Sequence, residues 1–323
     1  MAERPIIHLG INTQEYPRGA VDAVRSRAPD YELLVTTERE RIEAELERIE
    51  VAFVHFPHDL LSRAGALRWY QQAGAGADWL DRRPDARTHP FTLTSASGVH
   101  AIPISEHLLG FLLALARDFP RAIRAQSTRT WTPREDRELF ELAGKRVLVL
   151  GVGAIGERFA RLCSACGMEV VGLRRDPSIL VEGIERVVGM DGLEAELPGA
   201  DVVANTLPLT AETRGFLGSR EFGLMKQGAV VLNIGRGATI DESAMIDALR
   251  SGRLLAAGLD VFESEPLPDS SPLWDMENVL ITAHYSGSTP DYNERVFEIF
   301  LDNLGRYIDG KPLRNVVDKT IGY

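Results

Sequence analysis

Three observations predict an α/β chain with parallel sheets and two domains. Short apolar strands alternate with helical stretches, and the alternation strengthens from Lys145 onward. Just before the middle of the chain, a strand runs into a glycine-rich turn that opens a helix. Strand–helix alternation places a crossover between successive strands, which gives a doubly wound parallel sheet with helices on both faces.

In the first hundred residues Ile6–Ile11, Tyr31–Val35 and Val51–Phe56 read as strands. Glu38–Ile49 (ERERIEAELERI) reads as an amphipathic helix whose charge run is a solvated face. A long helix is predicted from Pro103 to Arg117, with proline in its first turn. Further strands are predicted at Arg146–Leu150, Glu169–Leu173, Asp201–Ala204, Ala229–Asn233, Leu255–Asp260 and Val279–Ile281, with helical segments between most of them. Pro290–Asp309 is again an amphipathic helix. A strong alternation that starts so far in leaves the two chain ends to build the second domain together. The crossovers are placed near Val99 and Ser286, giving one domain of residues 101–286 and another of residues 1–100 with 287–323.

The bulk composition excludes several classes. A chain of 323 residues with 44% hydrophobic and 26% charged residues has the balance of a soluble globular protein. Its net charge of −11 argues against nucleic acid or an anionic membrane as partner, since both require a basic face. The most apolar run, His107–Ala116, is too short for the ~20 residues that span a bilayer, and MAERPIIHLGIN has no apolar core of signal-peptide length. A cytoplasmic location is expected, and two cysteines fit a reducing compartment. Cys163 and Cys166 form a C-x-x-C within a helix, without a second pair or a nearby histidine, and read as packing residues. His55 and His58 have an H-x-x-H spacing but no third ligand in sight, so no metal is expected; they and the remaining histidines apart from His284 need no special role.

The strand Arg146–Leu150 leads into Gly151-Val-Gly153-Ala154-Ile155-Gly156 and the helix Glu157–Ala165. In that context Gly151 allows the tight turn, Gly153 lets backbone approach a pyrophosphate, and Gly156 lets the helix pack on the strand. The helix N-terminus offers N–H groups and a partial positive charge to phosphates, and Ala154 and Ile155 within the turn are counted among the cofactor contacts. An acidic residue about 20 positions on binds the ribose 2′-hydroxyl of NAD. Here that place, after the strand in MEVVGLRRDPS (168–178), holds Arg174 and Arg175. Arginine suits the 2′-phosphate of NADP, so NADP is expected, with NAD as the alternative if Asp176 neutralises an arginine or reaches the ribose itself.

Three later stretches carry chemistry: Asn233-Ile234-Gly-Arg236-Gly237, Gly258-Leu-Asp260-Val-Phe-Glu-Ser-Glu265-Pro and Ile281-Thr-Ala-His284. Arg236 and His284 follow strand ends, where ligands bind in open α/β sheets, and Glu265 lies on the loop after a third. An arginine binds a carboxylate or ketone oxygen through its donor fork, and a histidine donates a proton to a developing alkoxide. A carboxylate beside the imidazole orients it and favours its protonated form, with an attraction on the order of 4 kcal/mol at ~4 Å and an effective dielectric near 20. That set suits reduction of a 2-oxo acid.

These motifs resemble the D-isomer-specific 2-hydroxyacid dehydrogenases over most of the chain, from the Ala73-Gly-Ala-Gly-Ala-Asp78 loop to the last helix, most specifically between Gly151 and His284. The resemblance implies two Rossmann-like domains, a doubly wound cofactor domain inserted in a smaller flavodoxin-like substrate domain. It implies a catalytic triad of Arg236, Glu265 and His284. Asp260 would hold the nicotinamide carboxamide, and Leu207 and Pro208 would border the adenosine. Ile234 would join the cofactor contacts. Gly74, Ala75 and Gly76 would present N–H groups to the substrate carboxylate. Ser97-Gly-Val-His100 would form a hinge, and the segment from Arg117 to Lys145, with Trp131, would join two copies in a homodimer. The chain departs from the family pattern at Ala283, where proline is common, and at Tyr285, which is placed to shape the substrate pocket. The expected activity is reduction of small 2-oxo acids to D-2-hydroxy acids with NADPH. The alternative is a non-catalytic NAD(P)-sensing co-repressor-like protein, since such relatives can keep the triad.

Overall fold

The computed structural model describes residues 4–135, 139–179 and 181–320. The chain divides into two compact units: residues up to His100 with those from Thr289 onward, and Ala101–Ser288.

Among the described residues the first unit is built on five strands, β1 (Ile6–Gly10), β2 (Glu32–Val35), β3 (Ile49–Val54), β4 (Trp69–Gln71) and β5 (Thr92–Thr94). They are all parallel and ordered β2-β1-β3-β4-β5, the flavodoxin-like arrangement. The helix Tyr292–Ile308 belongs to this unit although the whole other unit precedes it in sequence. Phe300 explains why it returns: its ring stacks on Phe53 with centroids 4.1 Å apart and on Trp69 at 5.3 Å. All three rings are fully buried, and each such burial contributes about 1.5–3 kcal/mol.

The second unit holds seven described strands, β6 (Arg146–Leu150), β7 (Glu169–Leu173), β8 (Arg186–Val188), β9 (Val202–Asn205), β10 (Ala229–Asn233), β11 (Leu254–Leu259) and β12 (Val279–Ile281). Their order is β12-β11-β10-β9-β6-β7-β8, all parallel. The order reverses between β6 and β9, which is the switch point where a doubly wound sheet binds ligands outside its strand ends. The central strands are buried on both faces, so they carry continuous apolar runs such as Val147–Leu150 and Val230–Leu232.

Several boundaries differ from expectation. The helix expected over 38–49 is confined to Arg39–Ala44; a 3₁₀ turn, Leu46–Arg48, follows, and Ile49 is drawn into β3 by its pairing with Ile6. β3 ends at Val54 rather than Phe56, because Val54 has φ 66° and cannot continue an extended strand. The long helix covers Ala101–Ala116, and the helix after the glycine turn begins at Ala154. β4, β5 and β8 were not anticipated; at three residues each they are too short to show a period. Among the described residues no helix is long and apolar enough to cross a membrane.

Candidate active site

The glycine turn follows β6 as its spacing requires. Gly151 has φ 92°, which favours glycine. A Cβ on Gly156 would stand 2.2 Å from the Gly151 carbonyl oxygen, so the helix Ala154–Ala165 can sit against the turn only without a side chain there. Gly153 differs: a Cβ on it would meet nothing within 4 Å. The protein's own packing does not demand glycine at 153; the space beside it, at the helix N-terminus, is open. The cap is Gly153, with no side-chain hydrogen bond, so first-turn N–H groups are left for an anion. These features fit a dinucleotide pyrophosphate.

Arg174 directly follows β7, and the turn is tied to its neighbour: the N–H groups of Gly151 (2.9 Å) and Val152 (3.2 Å) both donate to the Leu173 carbonyl. Arg175 is more exposed, with its guanidinium 3.8 Å from Glu212. Asp176 turns to its own chain, its Oδ1 accepting from the Ser178 N–H (3.0 Å) and hydroxyl (2.6 Å). These bonds hold the Asp176 carboxyl below the usual carboxylate range, with the Arg174 charge a smaller contribution.

Leu207 and Pro208 follow β9. The Thr206 hydroxyl donates to the Gly151 carbonyl (2.5 Å), and a Cβ on Gly235 would stand 2.5 Å from the Leu207 carbonyl oxygen. Ile234, buried at the end of β10, donates its N–H to the Asn205 carbonyl (3.2 Å). Beneath them, Asn205 Nδ2 donates to Asn233 Oδ1 (3.0 Å) and Thr239 Oγ1 (2.6 Å). The ends of β6, β7, β9 and β10 thus converge on one rim.

Arg236 follows β10, and its Nη1 donates to the Gly235 carbonyl (2.8 Å). A Cβ on the next residue, Gly237, would lie 1.8 Å from the Phe262 carbonyl carbon. Only glycine lets the Arg236 loop reach the loop that carries Glu265. Glu265 uses both oxygens: Oε1 accepts from the Phe262 N–H (3.0 Å), and Oε2 lies 2.7 Å from His284 Nδ1. His284 follows β12 with φ 52°, a strained conformation for a residue with a side chain.

Asp260, fully buried at the end of β11, maintains that strain. Its backbone carbonyl accepts from the His284 N–H (2.9 Å). Its Oδ1 accepts from the Thr282 hydroxyl (2.5 Å) and the Tyr285 N–H (3.1 Å), and its Oδ2 from the Ser286 N–H (3.1 Å). Both oxygens therefore hold the loop around His284, a task the resemblance did not imply. Tyr285 is half-exposed beside this loop. His107 Nε2 lies 3.0 Å from Thr282 Oγ1, and the ring meets Tyr285 edge-on at 5.7 Å. The reading that the other histidines need no special role is corrected here: His107 extends the Thr282–Asp260 network. Its signal was a polar ring at the head of the apolar run Leu108–Ala116. Cys163 is buried, which pushes its thiol up, in keeping with packing.

In the other unit, the loop 73–77 follows β4. With Val54, Phe56, His58, Tyr70 and Trp79 it borders a hollow of about 250 Å³. His58 stacks on Trp79 with centroids 3.9 Å apart. Burial and, secondarily, the Arg83 charge lower the His58 pKa.

A doubly wound sheet with a glycine turn at its switch point defines a dinucleotide-binding protein. The model of the D-isomer specific 2-hydroxyacid dehydrogenase NAD binding domain matches residues 109–286, and the chain belongs to that family. It is 31% identical over 307 residues to a D-3-phosphoglycerate dehydrogenase of Archaeoglobus fulgidus, covering 93% of this chain and 57% of that protein. It is 35% identical over 272 residues to a glyoxylate reductase of Aeropyrum pernix, covering 81% of this chain and 80% of that one. A D-isomer specific 2-hydroxyacid dehydrogenase from Xanthobacter autotrophicus Py2, solved in complex with NADPH and MES, superposes with a TM-score of 0.83 at 31% identity, covering 100% of both chains. The chain spans about half the length of the phosphoglycerate dehydrogenases it matches.

Proposed function

We propose that the protein reduces small 2-oxo acids to D-2-hydroxy acids with NADPH. The observation that carries the reading is the His284–Glu265 contact of 2.7 Å on strand-end loops of a dinucleotide-binding sheet. The residues that would hold the dinucleotide are Gly151 to Gly156 with Ile234 at the phosphates and nicotinamide side, Leu207 and Pro208 at the adenosine, and Arg174 with Arg175 at the ribose. Bound NADPH supplies the hydride that adds to the carbonyl carbon. As the carbon–oxygen double bond opens, its electron pair moves to oxygen, and His284 gives that oxygen a proton from Nε2 while Nδ1 donates to Glu265. Arg236 pairs with the substrate carboxylate or the carbonyl oxygen. Gly74, Ala75 and Gly76 offer N–H groups to the carboxylate, Tyr285 borders the substrate, and Asp260 keeps the histidine loop in place beside the nicotinamide. The relative named a glyoxylate reductase and the NADPH-bound neighbour support this reading.

The test is a panel of glyoxylate, hydroxypyruvate and pyruvate with NADPH and NADH. Turnover of at least one acid is expected, with a D product where the product is chiral. No turnover above background with any of them sinks the reductase and favours the co-repressor-like alternative.

We also propose that two copies associate through the segment from Arg117 to Lys145, of which residues 136–138 lie outside the described ones. Phe119 and Ile123 on the helix Phe119–Ser127 and Trp131 beyond it are 52%, 63% and 94% exposed, the large apolar side chains that an association face would cover. Light scattering is expected to give twice the chain mass, and Trp131→Glu to shift it toward the single-chain value; a wild type of single-chain mass removes the proposal.

A further inference from the structure

Three carbonyls of the loop after β4 are turned to partners within their own unit. The Tyr292 hydroxyl donates to the Ala73 carbonyl (2.7 Å). Gln72 Nε2 donates to the carbonyls of Gly74 (3.0 Å) and Gly76 (2.8 Å), and the Ala96 N–H also donates to Gly74 (3.0 Å). The Gln72 carboxamide faces them with its NH₂ because its oxygen accepts from the Trp79 indole at 2.8 Å, a group that can only donate. Gln72 is buried, so water does not compete for these bonds.

A trans peptide is planar, with each C=O opposite the N–H that follows it, and these bonds are trans. Fixing the carbonyls of Ala73, Gly74 and Gly76 therefore aims the N–H groups of Gly74, Ala75 and Ala77 the other way. Among the described residues no group accepts from the N–H of Gly74, Ala75 or Ala77, the three amides so aimed. Unpaired backbone amides of this kind, two of them neighbours at Gly74 and Ala75, make a small nest of donors that suits an anion.

We propose that Gln72, oriented by Trp79, and Tyr292 are positioning residues that preset this nest for the carboxylate of the oxo acid; the choice of ligand rests on the reductase reading. Amides fixed before binding lose little freedom when the carboxylate arrives, and their bonds to an anion are charge-assisted. The contribution therefore falls on substrate affinity, leaving the proton donor and the dinucleotide turn untouched.

The test uses the full chain with Gln72→Leu, Gln72→Glu and Tyr292→Phe. Gln72→Leu removes the donors; Gln72→Glu keeps an acceptor for Trp79 but sets negative charge against the carbonyls. KM for the oxo acid is expected to rise about ten- to a hundredfold in the Gln72 variants and less in Tyr292→Phe. kcat and KM for NADPH are expected to stay within about twofold of wild type. Melting temperatures identify any variant that fails to fold, and Tyr292→Phe, which removes a single hydroxyl, then carries the comparison. Unchanged KM in the folded variants, or a fall in kcat with KM unchanged, overturns the proposal. Titration calorimetry with oxalate separates it from the reductase reading. A wild type that turns over no oxo acid yet binds oxalate, and loses that binding in a folded variant, overturns the reductase and supports the nest. A wild type that binds no oxalate overturns the nest.

Discussion

Replacing His284 by alanine is expected to lower kcat by about 10²–10⁴, the range for losing a positioned proton donor. The geometry makes the substitution informative. Glu265 holds Nδ1, so Nε2 is the nitrogen left for the substrate. The loop is fixed by the backbone and carboxylate of Asp260, not by the imidazole, so removing the ring leaves its supports in place. Because the residue sits at φ 52°, His284→Asn is the better-folded companion, since asparagine tolerates that region more readily than alanine. Steady-state kinetics with saturating NADPH and the best oxo acid provide the measurement. Rates within a few-fold of wild type in both variants would take His284 out of the chemistry.

Exchanging Arg174 for aspartate is expected to cut kcat/KM for NADPH about ten- to a thousandfold while leaving NADH use much less affected. A hydrogen bond to a charged group contributes about 1.5–3 kcal/mol, so one or two such bonds to the 2′-phosphate span that range. Arg174 is expected to be the stronger determinant, because the residue before it accepts two N–H bonds from the glycine turn itself. Arg175 sits near Glu212 on exposed surface, where ion pairs contribute little, and Arg175→Asp is expected to have the smaller effect. The measurement compares both cofactors on one oxo acid in wild type and both variants. A wild-type preference for NADH, or equal use of the two, is the result that contradicts the reading.

The doubly wound sheet was legible because its central strands are buried on both faces and therefore carry apolar runs; Arg146–Leu150, Glu169–Leu173, Ala229–Asn233 and the edge strand Val279–Ile281 match their predicted bounds. The glycine turn was legible because Gly151 and Gly156 answer local demands, a positive φ and a close helix approach, that no other residue meets. Arg236, Glu265 and His284 stood out because strand-end loops are short and place polar groups three to six residues past an apolar strand. The first unit was less legible. Its β4 and β5 have only three residues each, and Ile49 is a strand residue because Ile6 pairs with it across the sheet, a contact no local period encodes.

Residue order therefore decided the fold class and the chemical groups at the strand ends, since both follow from short-range pattern and residue type. Tertiary structure alone decided which groups meet. Gly237 closes the Arg236 loop onto the Glu265 loop, Asp260 binds a loop more than twenty residues away, and His107 reaches Thr282 from a distant helix. Gln72 likewise turns its neighbours' carbonyls inward only because Trp79 claims its oxygen. Such contacts arise from backbone approach and buried hydrogen-bond satisfaction, which depend on where the chain has folded and leave no mark in the spacing of its residues.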